Sequence, residues 1–253
     1  MKRLGLTPLA IATVGLLLSG AAQAELHDRG GGLLYDDVLN VTWLGDANYA
    51  KTSNYDADGR MTWNAAKTWA TNLSYYDSVR KVTYDDWRLA SNTPVGADWN
   101  YRNSNAGTTD AGYNITSPHS ELSYLYYVNL GFKGYYSPTG MRQPDFGIFG
   151  NGLTGGERDD LGPNGVIDNL QPWVYWSGAD YKEPGDPASY ASGFNAVYGY
   201  QGYWGQNNEF HAWAVRPGDV AAVPEPEAYT LLLAGLGLLG GVAKRQRRSL
   251  GAS

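Results

Sequence analysis

Leu33-Leu34-Tyr35-Asp36 and Val41-Thr42-Trp43-Leu44 stand either side of Asp37-Val38-Leu39-Asn40. Two short apolar and aromatic runs around a polar turn read as a β-hairpin, within residues 28–44. A helix is expected next: Thr62 suits its N-cap, and Trp63, Ala66, Ala70 and Leu73 recur at spacings of 3, 4 and 3 on one face, to about Leu73. A second helix is predicted after Ser117, with Pro118 at its first position, Leu122, Leu125 and Tyr126 on its apolar side and Gly131 at its end. Beyond Asn151 the helical period disappears. Residues 173–177, 190–197, 200–204 and 211–216 are short, aromatic-rich and divided by Gly, Pro or Asn, which reads as an antiparallel strand meander. Hairpin, two helices and meander together predict an α+β fold.

Composition narrows the chemistry. The 253 residues include no Cys, which removes disulfides, Cys-ligated zinc, iron–sulfur clusters and thiol nucleophiles. Nine Trp and 20 Tyr supply a core. Residues 25–223 keep 13 of the 19 basic and 23 of the 25 acidic residues, a formal charge of about −10. No basic stripe interrupts this, so nucleic acid is not an expected partner.

The two ends carry a different message. Residues 1–24 run from Lys2 and Arg3 through an apolar stretch to Ala22-Gln23-Ala24, the layout of a secretory signal peptide cleaved after Ala24. At the other end, Pro224-Glu225-Pro226 precedes an apolar run over 228–243, and Lys244, Arg245, Arg247 and Arg248 follow it. Sixteen helical residues reach only ~24 Å, short of the roughly 30 Å hydrocarbon core. The basic flank favours the cytoplasmic side and leaves the body outside. This ordered trio resembles the PEP-CTERM sorting signal, assigned here to residues 222–248. The resemblance implies that Pro224, Glu225 and Pro226 are recognised by an exosortase, that the apolar run anchors the protein transiently in the inner membrane, and that processing delivers it to the cell surface or extracellular matrix. It also implies a bacterium that makes extracellular polysaccharide.

The body, residues 25–221, carries three further motifs. They are residues 32–43, Trp63-Asn64-Ala65-Ala66 with Asp86-Trp87-Arg88-Leu89-Ala90-Ser91, and Val174-Tyr175-Trp176-Ser177 with Ala212-Trp213-Ala214-Val215-Arg216. Together they resemble the Lcl C-terminal domain family, found at the end of a bacterial collagen-like adhesin, although Ala90 stands where that family commonly has Pro. The resemblance implies a C-type-lectin-like fold.

Candidate chemistry is sparse. No G-x-S-x-G or H-E-x-x-H motif occurs, and His27, His119 and His211 are scattered. Asp160, Asn164, Gly165, Ile167 and Asp168 fit five places of a calcium-loop template, with Gly162 and Gln171 at two ligand places. Two readings stay open: a calcium loop using Asp160, Asn164 and Asp168, or a polar turn through Pro163. Gln143-Pro144-Asp145 matches a galactose-binding tripeptide of calcium-dependent lectins, and equally a plain turn. Asp86-Trp87-Arg88 reads as an Arg–carboxylate contact beside a core Trp. Six tryptophans, Trp43, Trp63, Trp69, Trp87, Trp176 and Trp213, are assigned to the core. Tyr198, Tyr200, Tyr203 and Trp204, in Gly-rich surroundings, are the candidate ligand-binding rings, because exposed rings stack on sugar faces or fill protein interfaces. The expectation is a non-enzymatic module that binds extracellular polysaccharide or a surface protein. A matrix-polysaccharide hydrolase and a purely structural matrix protein are the alternatives.

Overall fold

The hairpin forms where the sequence places it. In the computed structural model, which describes residues 25–152, 156–181 and 189–220, β1 (Leu26–Asp28) leads into β2 (Leu33–Asp36), and β2 pairs antiparallel with β3 (Val41–Leu44), Leu33 opposite Leu44 and Asp36 opposite Val41. Asp36 closes the turn. It is fully buried, and its Oδ1 accepts the N–H groups of Val38 and Leu39 at 3.0 and 2.9 Å. Asn40 adopts the left-handed conformation that asparagine tolerates.

The chain continues through α1 (Tyr49–Thr52), β4 (Arg60–Met61), α2 (Trp63–Thr71), β5 (Tyr75–Asp77), β6 (Val82–Tyr84), β7 (Arg88–Leu89), β8 (Asn103–Ser104) and β9 (Ala111–Tyr113). Then come α3 (Glu121–Tyr124), which runs into a π-helical turn (Leu125–Asn129), and a 3-10 turn (Pro163–Gly165). The last strands are β10 (Val174–Asp180), β11 (Tyr190–Asn195), β12 (Tyr200–Gly205), β13 (Phe210–Ala212) and β14 (Ala214–Pro217). One sheet has the order β1-β2-β3-β14-β7, the other β4-β13-β10-β11-β12-β9-β8, and β5 and β6 form a separate hairpin. The architecture is sheet-rich α+β.

Three expectations need correction. The second helix begins at Glu121, not after Ser117, and Pro118 lies in a turn. The reason is tertiary: Ser120 bridges Asn92, and the His119 carbonyl accepts the Thr93 N–H at 2.8 Å, so this backbone is taken up by the segment after β7. The strand expected over 211–216 divides at Trp213, because β13 joins the larger sheet and β14 the smaller. Nor is the meander wholly antiparallel. β10, β11 and β12 alternate in direction, but β13 runs parallel to β10, Tyr175 opposite His211. Thr62 does precede α2 in an extended conformation, yet its side chain makes no capping bond.

Side chains alternate along a strand, and here both faces are covered. Leu33, Leu44, Trp176, Ala212 and Ala214 enter one core, packed under Trp63 and Trp69 of α2. Leu34, Trp43, Tyr175, Trp213 and Val215 enter a second, packed under Leu122, Leu125 and Tyr126. All six tryptophans assigned to the core are at most 5% exposed. Three of their indole N–H groups find backbone carbonyls: Trp63 donates to Ser177, Trp176 to Met61 and Trp213 to Leu44, at 2.8, 2.9 and 2.6 Å, whereas the buried Trp43 N–H has no partner in the protein.

Asp86-Trp87-Arg88 splits its charges around the buried ring. Asp86 receives Arg216 at 2.7 and 2.9 Å. Arg88 points the other way and meets Glu121 at 2.7 and 2.8 Å, fastening β7 to the start of α3. Arg29 grips Asp219 at 2.8 and 2.6 Å, so the two ends of the described body lie side by side.

Candidate functional site

Tyrosine rings form a ribbon along the outer part of the larger sheet. It starts at Tyr198, 43% exposed, in the turn between β11 and β12. Asn195 builds that turn by accepting the N–H groups of Val197 and Tyr198 at 3.0 and 3.3 Å. Gly199 follows at φ +66°, where an added Cβ would stand 2.6 Å from the Tyr127 hydroxyl, so only glycine fits. Tyr198 meets Tyr135 edge-on at 5.8 Å and stacks beside Phe146 at 5.9 Å. Tyr135 touches Tyr136, Tyr136 touches Tyr113 and Tyr113 touches Tyr200, with centroids 4.7, 5.3 and 5.1 Å apart. Tyr200 then meets Trp204, whose ring packs on the buried Phe210. The ribbon thus runs from solvent to core. Burial among other phenols pushes the Tyr113 hydroxyl up to about 12, so it stays a neutral hydrogen-bond donor at ordinary pH.

β12 divides the four rings singled out in the sequence. Alternation sends Tyr200 and Trp204 to one face and Tyr203 to the other. Tyr203 lies between Tyr101 and Tyr181, at 5.2 and 4.8 Å, and its hydroxyl meets the Asp110 carbonyl at 3.3 Å. Burial raises its pKa. Tyr198, Tyr200 and Trp204 share the ribbon; Tyr203 belongs to a second aromatic cluster with Trp99 stacked on Tyr101 at 5.6 Å. The partners Tyr113, Tyr101 and Tyr181 carry no local motif and become visible only through sheet pairing.

The calcium-template residues sit in a tight turn. Leu161 and Ile167 bridge across it, with N–H to carbonyl distances of 3.0 and 2.8 Å. Asn164 donates its amide to Asp28 Oδ2 at 3.0 Å, and Asp168 accepts the Asp160 backbone N–H at 3.3 Å. Among the described residues, no group of three or more His, Asp or Glu is placed to hold a metal ion. In the Gln143-Pro144-Asp145 tripeptide, Gln143 donates to the Gly134 carbonyl at 2.8 Å and Asp145 pairs with Lys133.

His211 is 5% exposed, and its Nδ1 is 3.4 Å from Asn48 Oδ1. Burial, reinforced by the charge of Arg60, lowers its pKa to about 4. It is a neutral imidazole inside the fold.

Pro224, Glu225, Pro226 and the basic Lys244, Arg245, Arg247 and Arg248 lie outside the described residues, as does the signal segment. Among the described residues no helix is long and apolar enough to cross a membrane. The tail is recognised by its sequence. Residues 222–248 match the PEP-CTERM protein-sorting motif. That motif marks an exported protein targeted to an exosortase and delivered through membrane-anchored sorting to the surface or the exterior. No curated protein and no solved structure matches the chain. The likeness of the body to the Lcl C-terminal domain therefore rests on the quoted residues alone.

Proposed function

We propose that this protein is a non-enzymatic binding module of C-type-lectin-like fold, displayed at the cell surface or in the matrix after exosortase processing, and that its ligand is extracellular polysaccharide. The ribbon from Tyr198 to Tyr200 carries the reading. Phenol rings that are half buried against one another are held rigid, so their outer faces can stack on sugar rings with little loss of side-chain entropy, while their hydroxyls meet sugar oxygens. Such binding needs no activated nucleophile, and His211 is enclosed rather than poised in a cleft.

The test uses full-length protein and polysaccharide from the producing cell. Tyr198→Ala should weaken binding about two- to tenfold, the worth of one ring contact at ~0.5–1.5 kcal/mol, with only a small fall in melting temperature, since the ring is 43% exposed and gives up its contacts with Tyr135 and Phe146 alone. Tyr203→Ala should lower the melting temperature further, since that ring is more buried, packed between two others and hydrogen-bonded to the Asp110 carbonyl. Unchanged binding by Tyr198→Ala would remove the ribbon as the site, and release of reducing ends would move the protein to the hydrolases.

Sorting has its own test. Mature protein from the native cell should lack the segment after the Pro-Glu-Pro region, and Glu225→Ala should remain full length in the inner membrane. Fully exported wild-type protein with an intact tail would overturn this.

A further inference from the structure

We infer that the face from which the tail leaves the body, around Arg29, Val38, Val79 and Asp219, is a docking surface for the exosortase that reads the Pro-Glu-Pro motif. This rests on the sorting reading above and gives the folded body a part in it.

The fold holds the chain almost to the edge of the motif. Gly218 donates its N–H to the Asn40 carbonyl at 2.8 Å, and its own carbonyl accepts the Thr42 hydroxyl at 2.7 Å. Arg29 holds the Asp219 carboxylate through Nε and an Nη. Val220 is 3% exposed and packs in the first core. Pro224 follows four residues later. At roughly 3.3–3.6 Å per residue, even a fully extended chain puts Pro224 no more than ~14 Å from Val220. Ala228, where the apolar run begins, is at most about 29 Å away by the same measure. An enzyme groove that encloses Pro224-Glu225-Pro226 reaches over the residues beside them, so a membrane enzyme reading this motif meets the surface around Val220 as well.

That surface carries two exposed aliphatic side chains. Val38, 46% exposed, sits in the β2–β3 turn, two residues from the Asn40 that holds Gly218. Val79, 45% exposed, sits in the turn between β5 and β6. Arg29 fastens this second turn to the exit: Arg80 donates to its carbonyl, and Val79 Cγ2 lies 3.3 Å from the place a Cβ would take on Gly31. Between the two valines runs a row of contacts. Asp37 meets His27 at 3.4 Å, His27 stacks beside Tyr35 at 6.2 Å, and the Arg29 guanidinium lies 5.1 Å from the Tyr35 ring centre. Both turns are shaped in advance, because Asp36 accepts the Val38 N–H and Asp77 the Val79 N–H, at 3.0 and 2.9 Å. The cations here are paired within the body, Arg29 with Asp219 and Arg80 with Asp77, so the gain from contact comes from covering the valines. Single exposed valines are ordinary on a protein surface. These two differ because the tail is too short for an enzyme at Pro224 to stand clear of them.

Processing of the full-length protein in the native cell tests this, read as the ratio of tailless to full-length protein over time. Val38→Asp and Val79→Asp should each slow processing about five- to tenfold, because a carboxylate loses its water in a contact that suits valine. Met141→Asp, at an exposed side chain in the loop bridged to Tyr136, should be processed at the wild-type rate. A Gly-Ser spacer of about ten residues after Val220 frees the enzyme from the body, and there Val79→Asp should change processing by less than about twofold. Wild-type processing of both face variants, or an equal loss with and without the spacer, would overturn the inference; the second result assigns the loss to folding or export. The chain has no cysteine, so Val79→Cys can carry a single photo-crosslinker. In inner membranes that hold the full-length protein and a tagged exosortase, the adduct should contain the exosortase. An adduct with lipid alone places the face on the bilayer and refutes docking on the enzyme. If Glu225→Ala is processed like the wild type, the sorting reading fails and the docking with it. If Glu225→Ala stays full length while the face variants are processed normally, sorting stands and docking fails.

Discussion

Arg88→Ala is expected to destabilise the protein by about 2–3 kcal/mol, below the range for removing one partner of a fully buried ion pair because the Arg88 side chain is 37% exposed. The effect comes from what is left behind. The Glu121 side chain is 7% exposed, and once the guanidinium is gone its carboxylate keeps the Ser91 N–H at 2.7 Å and little else. The burial that was tolerable for a paired charge then falls on a single one. Because Arg88 sits on β7 opposite Val215, and Glu121 opens α3, the loss loosens the join between the smaller sheet and the helix over the second core. A double variant, Arg88→Met with Glu121→Leu, removes both charges and should recover most of the stability, since apolar replacements of buried pairs are often neutral or better. Denaturant midpoints of the two single variants, the double and the wild type decide the matter. A loss below about 1 kcal/mol for Arg88→Ala, or a double variant no better than the single, would show that Glu121 finds water or another donor.

What the sequence made legible follows from how local each feature is. Leu33–Asp36 and Val41–Leu44 could be read to the residue because a four-residue turn leaves one register for the hairpin, and Asp36 and Asn40 are the residues that such a turn uses. The helix at Trp63 was visible from its period, and the tryptophans from their size. The start of α3 was not, because Ser120 is claimed by Asn92, 28 positions earlier, a contact that no local pattern encodes. The parallel pairing of β13 with β10 is hidden in the same way. Asp86-Trp87-Arg88 signalled an Arg–carboxylate contact, but its partners, Glu121 and Arg216, lie in distant elements. The binding surfaces were half legible. Glycines around Tyr198 and Tyr200 drew attention to those rings, whereas the face on which Tyr203 falls depends on strand alternation in a sheet whose last two strands on that side, β9 and β8, had no signal of their own.

Acidification from pH 7 to pH 4 should remove about 3 kcal/mol of stability through His211 alone. Its folded pKa of about 4 lies below the ordinary 6.5, so between those values the unfolded chain binds the proton and the folded one does not. Stability from this group is therefore complete above pH 6.5 and lost as pH falls towards 4, at 1.36 kcal/mol per unit of separation. The cause is structural: burial comes first, then the Arg60 charge, with Asp58 opposing. One other buried group works in the opposite direction. Burial raises Asp36 above its ordinary 3.8, despite the Val38 and Leu39 N–H groups, so its contribution is present at low pH and declines as pH rises. The two effects overlap in the same window, and the wild-type slope is their difference. His211→Gln should flatten the fall between pH 6.5 and 4, and Asp36→Asn should steepen it by removing the compensating term. Chemical denaturation of the three proteins at pH 7, 5.5 and 4 separates these terms. If His211→Gln keeps the wild-type slope, the imidazole is reached by solvent through local opening, and the loss of stability in acid belongs to the carboxylates.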